Sequence, residues 1–350
     1  MAKRQSLAKK PQRFNYITFA SVISAISVVL IHVNSYYSFS YSPRWIVANI
    51  ARAILTSAVP VFFMISGATL IDYRKRYDTK TYLKKRFAKT LIPFLFWSIA
   101  AILTHLFWLH DLPSEAYQPF ELINRFLNAL FIPVFWFFIP LFVLYLTIPI
   151  LGAIDLEKRQ EVFHYIIVLS LIFNFIIPAI LYLAKIPIVF PIQFTMTSCA
   201  AIFYAIVGYY IHNSELSKKT RGIVYGLGIA GLLTSLIGTH ILSYNAGELT
   251  GFMTDYDVIT YAAYSPAVFL FMKQFFSKHF TSKKSKALRF ANYFSRYTFP
   301  LYLTHWFPIV FLSVWTGNAH NQWWYALALT PLCIIVAIIS TKIFNKNILP

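Results

Sequence analysis

The feature that most constrains this chain is a succession of long apolar segments joined by short polar ones. A membrane-spanning helix needs roughly 20 predominantly apolar residues. Ten segments meet that length, at about 15–35, 46–71, 90–108, 127–151, 162–183, 188–211, 222–243, 256–276, 295–315 and 323–344. Only 12% of the residues are charged while 58% are hydrophobic. A soluble domain carries about twice that charged fraction. The prediction is an all-α, polytopic membrane protein of about ten transmembrane helices. Residues 14–345 would form one domain behind a basic tail of residues 1–13. The first apolar run lacks a small-residue cleavage site and continues into HVNSYYSF, so it reads as an uncleaved transmembrane helix.

The basic residues test this division. Lys and Arg concentrate in the cytoplasmic loops of membrane proteins. With the N-terminus inside, 27 of the 31 Lys and Arg residues fall on one side, and only Arg44, Arg52, Arg125 and Lys185 remain for the outer side. Both termini are then cytoplasmic. The net charge of +19 is a topology signal rather than a sign of nucleic acid, and the bilayer is the first expected partner.

Few residues are left to carry chemistry. No Asp or Glu lies deep in a predicted span, which argues against a proton-coupled transporter built on buried carboxylates. Cys199 and Cys333 fall inside apolar segments and suggest neither a disulfide framework nor a metal site. No metal is expected. Histidines say more. His32 sits near the outer end of SVISAISVVLIHVN, and His305 lies in the ninth span. An imidazole can take a proton from a hydroxyl near neutral pH, although a histidine within a span often only joins helices by hydrogen bonds. In TYLKKRFAKTLIPF, Arg86 and Lys89 are three apart and share a helix face beside Lys85. Such a basic set suits phosphate groups, or simply the charge of a cytoplasmic loop. Gly67, in AVPVFFMISGATL, permits a close helix approach.

These pieces, in this order, resemble the family-3 membrane acyltransferases, bacterial integral-membrane enzymes that O-acylate surface sugars. The resemblance rests on VVLIHV, VPVFFMISG, LKKRFAKTLIPF, WFFIPLFVLYLTIPIL and YTFPLYLTHW, spread over about residues 14 to 344. It implies an acyl-CoA donor, typically acetyl-CoA, with no bound cofactor. The implied acceptor is a hydroxyl of a cell-surface or lipid-linked glycan, at the bacterial plasma membrane. His32 matches the family's first-helix histidine and would be the catalytic residue. His305 matches the C-terminal histidine, in an acid/base or structural role. Arg86 and Lys89, with Lys85, match the basic loop and would bind the CoA end.

Two departures stand out. The family places an arginine eleven residues before the first-helix histidine, where this chain has Ser21. The second arginine of the basic loop is Lys89, which keeps charge but loses planar bidentate binding. Arg52, expected near His32 in depth, is a candidate to orient the acceptor, with Asn34, or to pair with Asp255 or Asp257. Snorkelling to the outer surface is the alternative for Arg52. The rival to an enzyme is a non-catalytic transporter or flippase for a glycan or small polar metabolite.

Overall fold

The computed structural model describes residues 14–34, 43–113, 118–127, 131–186, 200–247, 250, 255–282, 285–316 and 323–347. Among these residues every regular element is a helix and no strand is present. In chain order the α-helices are α1 (Asn15–Asn34), α2 (Pro43–Leu55), α3 (Ala58–Leu70), α4 (Thr79–Thr104), α5 (Pro119–Leu127), α6 (Phe138–Leu151), α7 (Leu156–Ser170) and α8 (Ile177–Leu183). They continue with α9 (Ala200–Asn213), α10 (Lys218–Ala246), α11 (Ile259–His279), α12 (Lys286–Phe294), α13 (Thr298–Thr304), α14 (Trp306–Trp315) and α15 (Trp323–Asn347).

Among the described residues, six helical runs are long and apolar enough to cross a membrane: Asn15–Val33, Trp45–Lys75, Thr79–Leu109, Pro133–Leu151, Leu156–Leu183 and Lys218–Ala246. The expected ten are not established as a count. The predicted span at 188–211 is described only from Ala200 onward, and that at 295–315 is divided between α13 and α14.

Prolines account for the interruptions. Proline has no N–H to give to the carbonyl four residues earlier, and its ring crowds that carbonyl. The run through α2 and α3 breaks at Thr56–Ser57, just before Pro60. A π-helical turn at Leu171–Ile176 precedes Pro178. The break between α13 and α14 falls at His305, three residues before Pro308. The Thr56 carbonyl, which Pro60 cannot serve, accepts instead from the Val59 N–H at 3.4 Å.

Aromatic and aliphatic side chains fill the core together, and α10 turns its small residues inward. In α10 the buried side chains include Ser235, Thr239 and Ser243, while Ile229, Leu233, Ile237 and Ile241 face outward. This is the pattern expected when the surrounding solvent is lipid. The helices α3 and α9 cross at Gly67 and Gly208. A Cβ on Gly67 would lie 1.8 Å from the Ala205 carbonyl oxygen, and one on Gly208 would lie 2.4 Å from the Met64 Cα. Only glycine permits that approach, as expected for Gly67.

The ion pairs agree with the topology read from charge. Asp72 pairs with Lys75 and Arg159, and Glu215 with Lys273, all on the predicted inner side. Arg52–Asp255, His105–Asp111 and Arg125–Glu121 lie on the predicted outer side. No described pair joins the two sides. The most enclosed of the described pairs is an inner one: Arg159 is buried, meets Asp72 at 2.8 Å, and also donates to the Ile154 carbonyl and the Tyr209 hydroxyl. At the start of α4, Asp78 caps the helix by accepting from the Thr81 N–H at 2.7 Å, and this bond holds its carboxyl below the usual range.

Candidate active site

Helix α1 runs through the middle of the bundle, packed against α2, α3, α11, α12, α13 and α15. That placement turns His32 and Ser21 inward at two levels, about 16 Å apart along the axis. Each level has a cavity.

The outer cavity has a volume of about 320 Å³ and is lined by His32 of α1, Arg52 of α2, Trp136, Tyr302 of α13, and Asp255 to Asp257 ahead of α11. Trp136 is presented by a 3-10 turn, Pro133–Phe137, which leads into α6. Arg52 reaches Asp255 at 3.8 Å, a loose pair with the arginine side chain only 29% exposed. The expected depth of Arg52 and one of its two expected carboxylate partners are thus what the structure has. Asp255 and Asp257 are both exposed at the cavity's edge. The loop carrying these acids is fixed by Tyr204, whose hydroxyl donates to the Tyr256 carbonyl at 2.6 Å. The Tyr256 ring stacks on Trp136 with centroids 4.7 Å apart.

His305 stands behind His32, their ring centroids 5.1 Å apart. The proline-induced break between α13 and α14 sets this ring inside the bundle, where it is fully buried. Its Nδ1 lies 2.7 Å from the Tyr302 carbonyl and 3.2 Å from that of Leu301. Its own carbonyl accepts from the Cys333 thiol at 3.5 Å, which ties α15 to the same point. Asn34 is the last residue of α1, and its side chain lies outside the described residues.

The inner cavity is smaller, about 170 Å³, and is lined by Ser21, Ser66, Tyr145, Thr298, Tyr302 and a set of apolar and aromatic side chains. Ser21 donates to the Thr298 hydroxyl at 3.3 Å, so a serine–threonine contact occupies the level where the family has its arginine. Tyr302 lines both cavities, and its hydroxyl donates to the Val134 carbonyl at 2.5 Å.

The basic set lies apart from His32, in the first turns of α4. Lys85 is exposed and places its ammonium over the Tyr77 ring at 4.5 Å. Lys89 is exposed. Arg86 is half-buried, and its Nε is a buried donor with no partner among the described residues. The Tyr82 hydroxyl is a second buried polar atom without a described partner. Arg86 acts electrostatically on both Tyr82 and Tyr145, and Tyr145 lines the inner cavity. Arg86 shares this lack of a hydrogen-bond partner with other buried polar atoms, among them the Arg125 Nε and the Asn174 amide, and its charge beside Lys85 and Lys89 is what suits an anion.

Reasoning from the sequence brought together His32, Arg52 and Asp255, and kept Arg86 and Lys89 separate from them. It did not find Tyr302 or Tyr145, although both sit inside stretches it singled out, YTFPLYLTHW and WFFIPLFVLYLTIPIL. Their alternation with bulky apolar neighbours gives no sign that they face a cavity.

Comparison with known proteins finds no match among curated proteins and none among solved structures. A family profile does match: the acyltransferase domain of family 3 aligns with residues 14–342, nearly the whole chain. The order of motifs, the apolar helices and this match agree, and the chain belongs to the family 3 acyltransferases.

Proposed function

We propose that the protein moves an acyl group, acetyl in the simplest case, from cytoplasmic acyl-CoA to a hydroxyl of a cell-surface or lipid-linked glycan in the bacterial plasma membrane. The observation that carries this reading is the arrangement of the two cavities. The basic side chains of Arg86, Lys85 and Lys89 stand together on α4, apart from His32. Tyr302 lines both the inner and the outer cavity, and His32 lines the outer one.

On this reading Arg86 and Lys89, with Lys85 beside them, hold the CoA phosphates by charge, and the thioester arm extends inward along the inner cavity. The acceptor enters from the outside. His32 takes the proton of its hydroxyl as that oxygen attacks the thioester carbonyl carbon. The carbon–sulfur bond then breaks, and the CoA sulfur leaves with the proton returned by His32. Arg52 and the carboxylates of Asp255 and Asp257 are placed to fix the other hydroxyls of the acceptor. Trp136 and Tyr256 form an aromatic wall of the kind on which a sugar ring rests.

Nuclear magnetic resonance of the surface glycan, from cells with and without the gene, tests the assignment. Ester-linked acyl signals should be lost with the gene and return on complementation. Identical spectra from the two strains would refute glycan O-acylation.

A further inference from the structure

His305 has a property that neither packing nor hydrogen bonding to the backbone uses. A carbonyl can only accept, so the short contact from Nδ1 to the Tyr302 carbonyl requires the hydrogen to be on Nδ1. A neutral imidazole has one N–H, which leaves Nε2 with a lone pair. That Nε2 is buried and has no partner among the described residues. Leaving a buried acceptor unsatisfied is costly, which makes an unused Nε2 an unfavourable feature of a packed core.

The adjacent ring is that of His32, tilted by 34° at 5.1 Å between centroids. Two imidazoles joined by an N–H···N bond of about 3 Å have centroids about 5 Å apart, so a turn of the His32 ring at its present separation would form a bond that the structure does not itself contain. No carboxylate forms a described ion pair with either ring: Asp255, in the same cavity, pairs with Arg52.

We propose that His305 is the positioning residue of the active site: its Nε2 accepts the N–H of one His32 nitrogen and so holds the other His32 nitrogen bare, facing the outer cavity. This rests on the reading of His32 as the base. It gives His305 a role through His32, without contact to donor or acceptor. The logic is that of any base oriented by a third group: the bond made by one ring nitrogen decides the state of the other. It also explains why the chain breaks at His305. The interruption ahead of Pro308 is what allows a ring tied to its own preceding turn to lie against α1.

The test has a readout that does not depend on activity. Protein with 15N-labelled histidine is placed in lipid nanodiscs, and the His32 ring signals are assigned by their loss in His32→Ala. Wild type should show His32 as one neutral tautomer. His305→Leu should give a mixture, and His305→Gln should restore the single tautomer. Glutamine can donate to the Tyr302 carbonyl and accept from His32 at once. Transfer from acetyl-CoA should follow the same order: His305→Leu lowers kcat by at least about tenfold with little change in donor KM, and His305→Gln recovers most of it. A purely packing role predicts the reverse ranking, because leucine suits a buried apolar site better than glutamine. An unchanged His32 tautomer in His305→Leu, or a tautomer mixture in wild type, overturns the inference. Full transfer by His32→Ala overturns the function beneath it, and is a separate result.

Discussion

The outer and inner halves of this bundle share helix α1 and the side chain of Tyr302, yet they are built for different work. The outer half gathers an imidazole, a guanidinium and two carboxylates around about 320 Å³. The inner half has hydroxyls, aromatic rings and aliphatic side chains around about 170 Å³, and the nearby basic residues stand on α4 at Arg86. In the outer half Arg52 has a carboxylate partner in Asp255. The Arg86 Nε has no partner among the described residues. A compensated site can order a neutral, polyhydroxylated molecule, whereas an uncompensated cation awaits an anion. The difference teaches where each substrate would enter, and it does so without any ligand in view.

The largest expected effect comes from the outer half. His32→Ala should lower acyl transfer by about 10²–10⁴-fold, the usual worth of positioned acid/base help, at an unchanged level of protein in the membrane. Surface-glycan acyl content normalised to protein measures it, and a loss of less than twofold would remove His32 from the chemistry.

The next effect belongs to the inner mouth. Arg86→Ala should raise the donor KM by about 10–100-fold, as expected for hydrogen bonds to a charged group worth about 1.5–3 kcal/mol. Steady-state kinetics over acetyl-CoA concentration would show it; a fall in kcat at constant KM would instead place Arg86 in the transition state.

A third variant tests the scaffold between the halves. Gly67→Ala puts a methyl group where the Ala205 carbonyl already lies, so α3 and α9 must separate. Overpacking of this kind costs about 1–3 kcal/mol, read as a lower aggregation temperature in detergent. An unchanged temperature would mean the crossing is looser than the structure has it.

The smallest effect should come from Ser21→Ala. The Ser21–Thr298 contact is long, at 3.3 Å, and its loss should change stability by less than about 0.5 kcal/mol and leave transfer near wild type. A large loss of activity would give Ser21 the place that the family arginine holds elsewhere.

Much of this was legible in the sequence, for reasons that can be named. Hydropathy fixes where helices can cross lipid, and loop charge predicts their direction, so Arg159 and Lys273 are assigned to one side and Arg52 to the other, an assignment with which the described ion pairs agree. What could not be read was adjacency. The outer cavity is made by α1, α2, α13, the 3-10 turn before α6 and the loop before α11, which are far apart in the chain. Apolar periodicity identifies a helix in lipid but not its neighbours, because lipid-facing and helix-facing positions are both apolar. Tyr302 was hidden for that reason. The small inner cavity beside Ser21 was hidden too, since a serine in a span looks alike whether it lines a space or joins two helices.

The division of labour between the halves is the central claim, and thermal aggregation of purified protein with and without CoA tests it most directly. CoA should raise the aggregation temperature of wild type and of His32→Ala alike, and should fail to raise that of Arg86→Ala. Protection of Arg86→Ala, or its loss in His32→Ala, would contradict the account, because donor binding would then not reside at the inner mouth apart from the outer histidine.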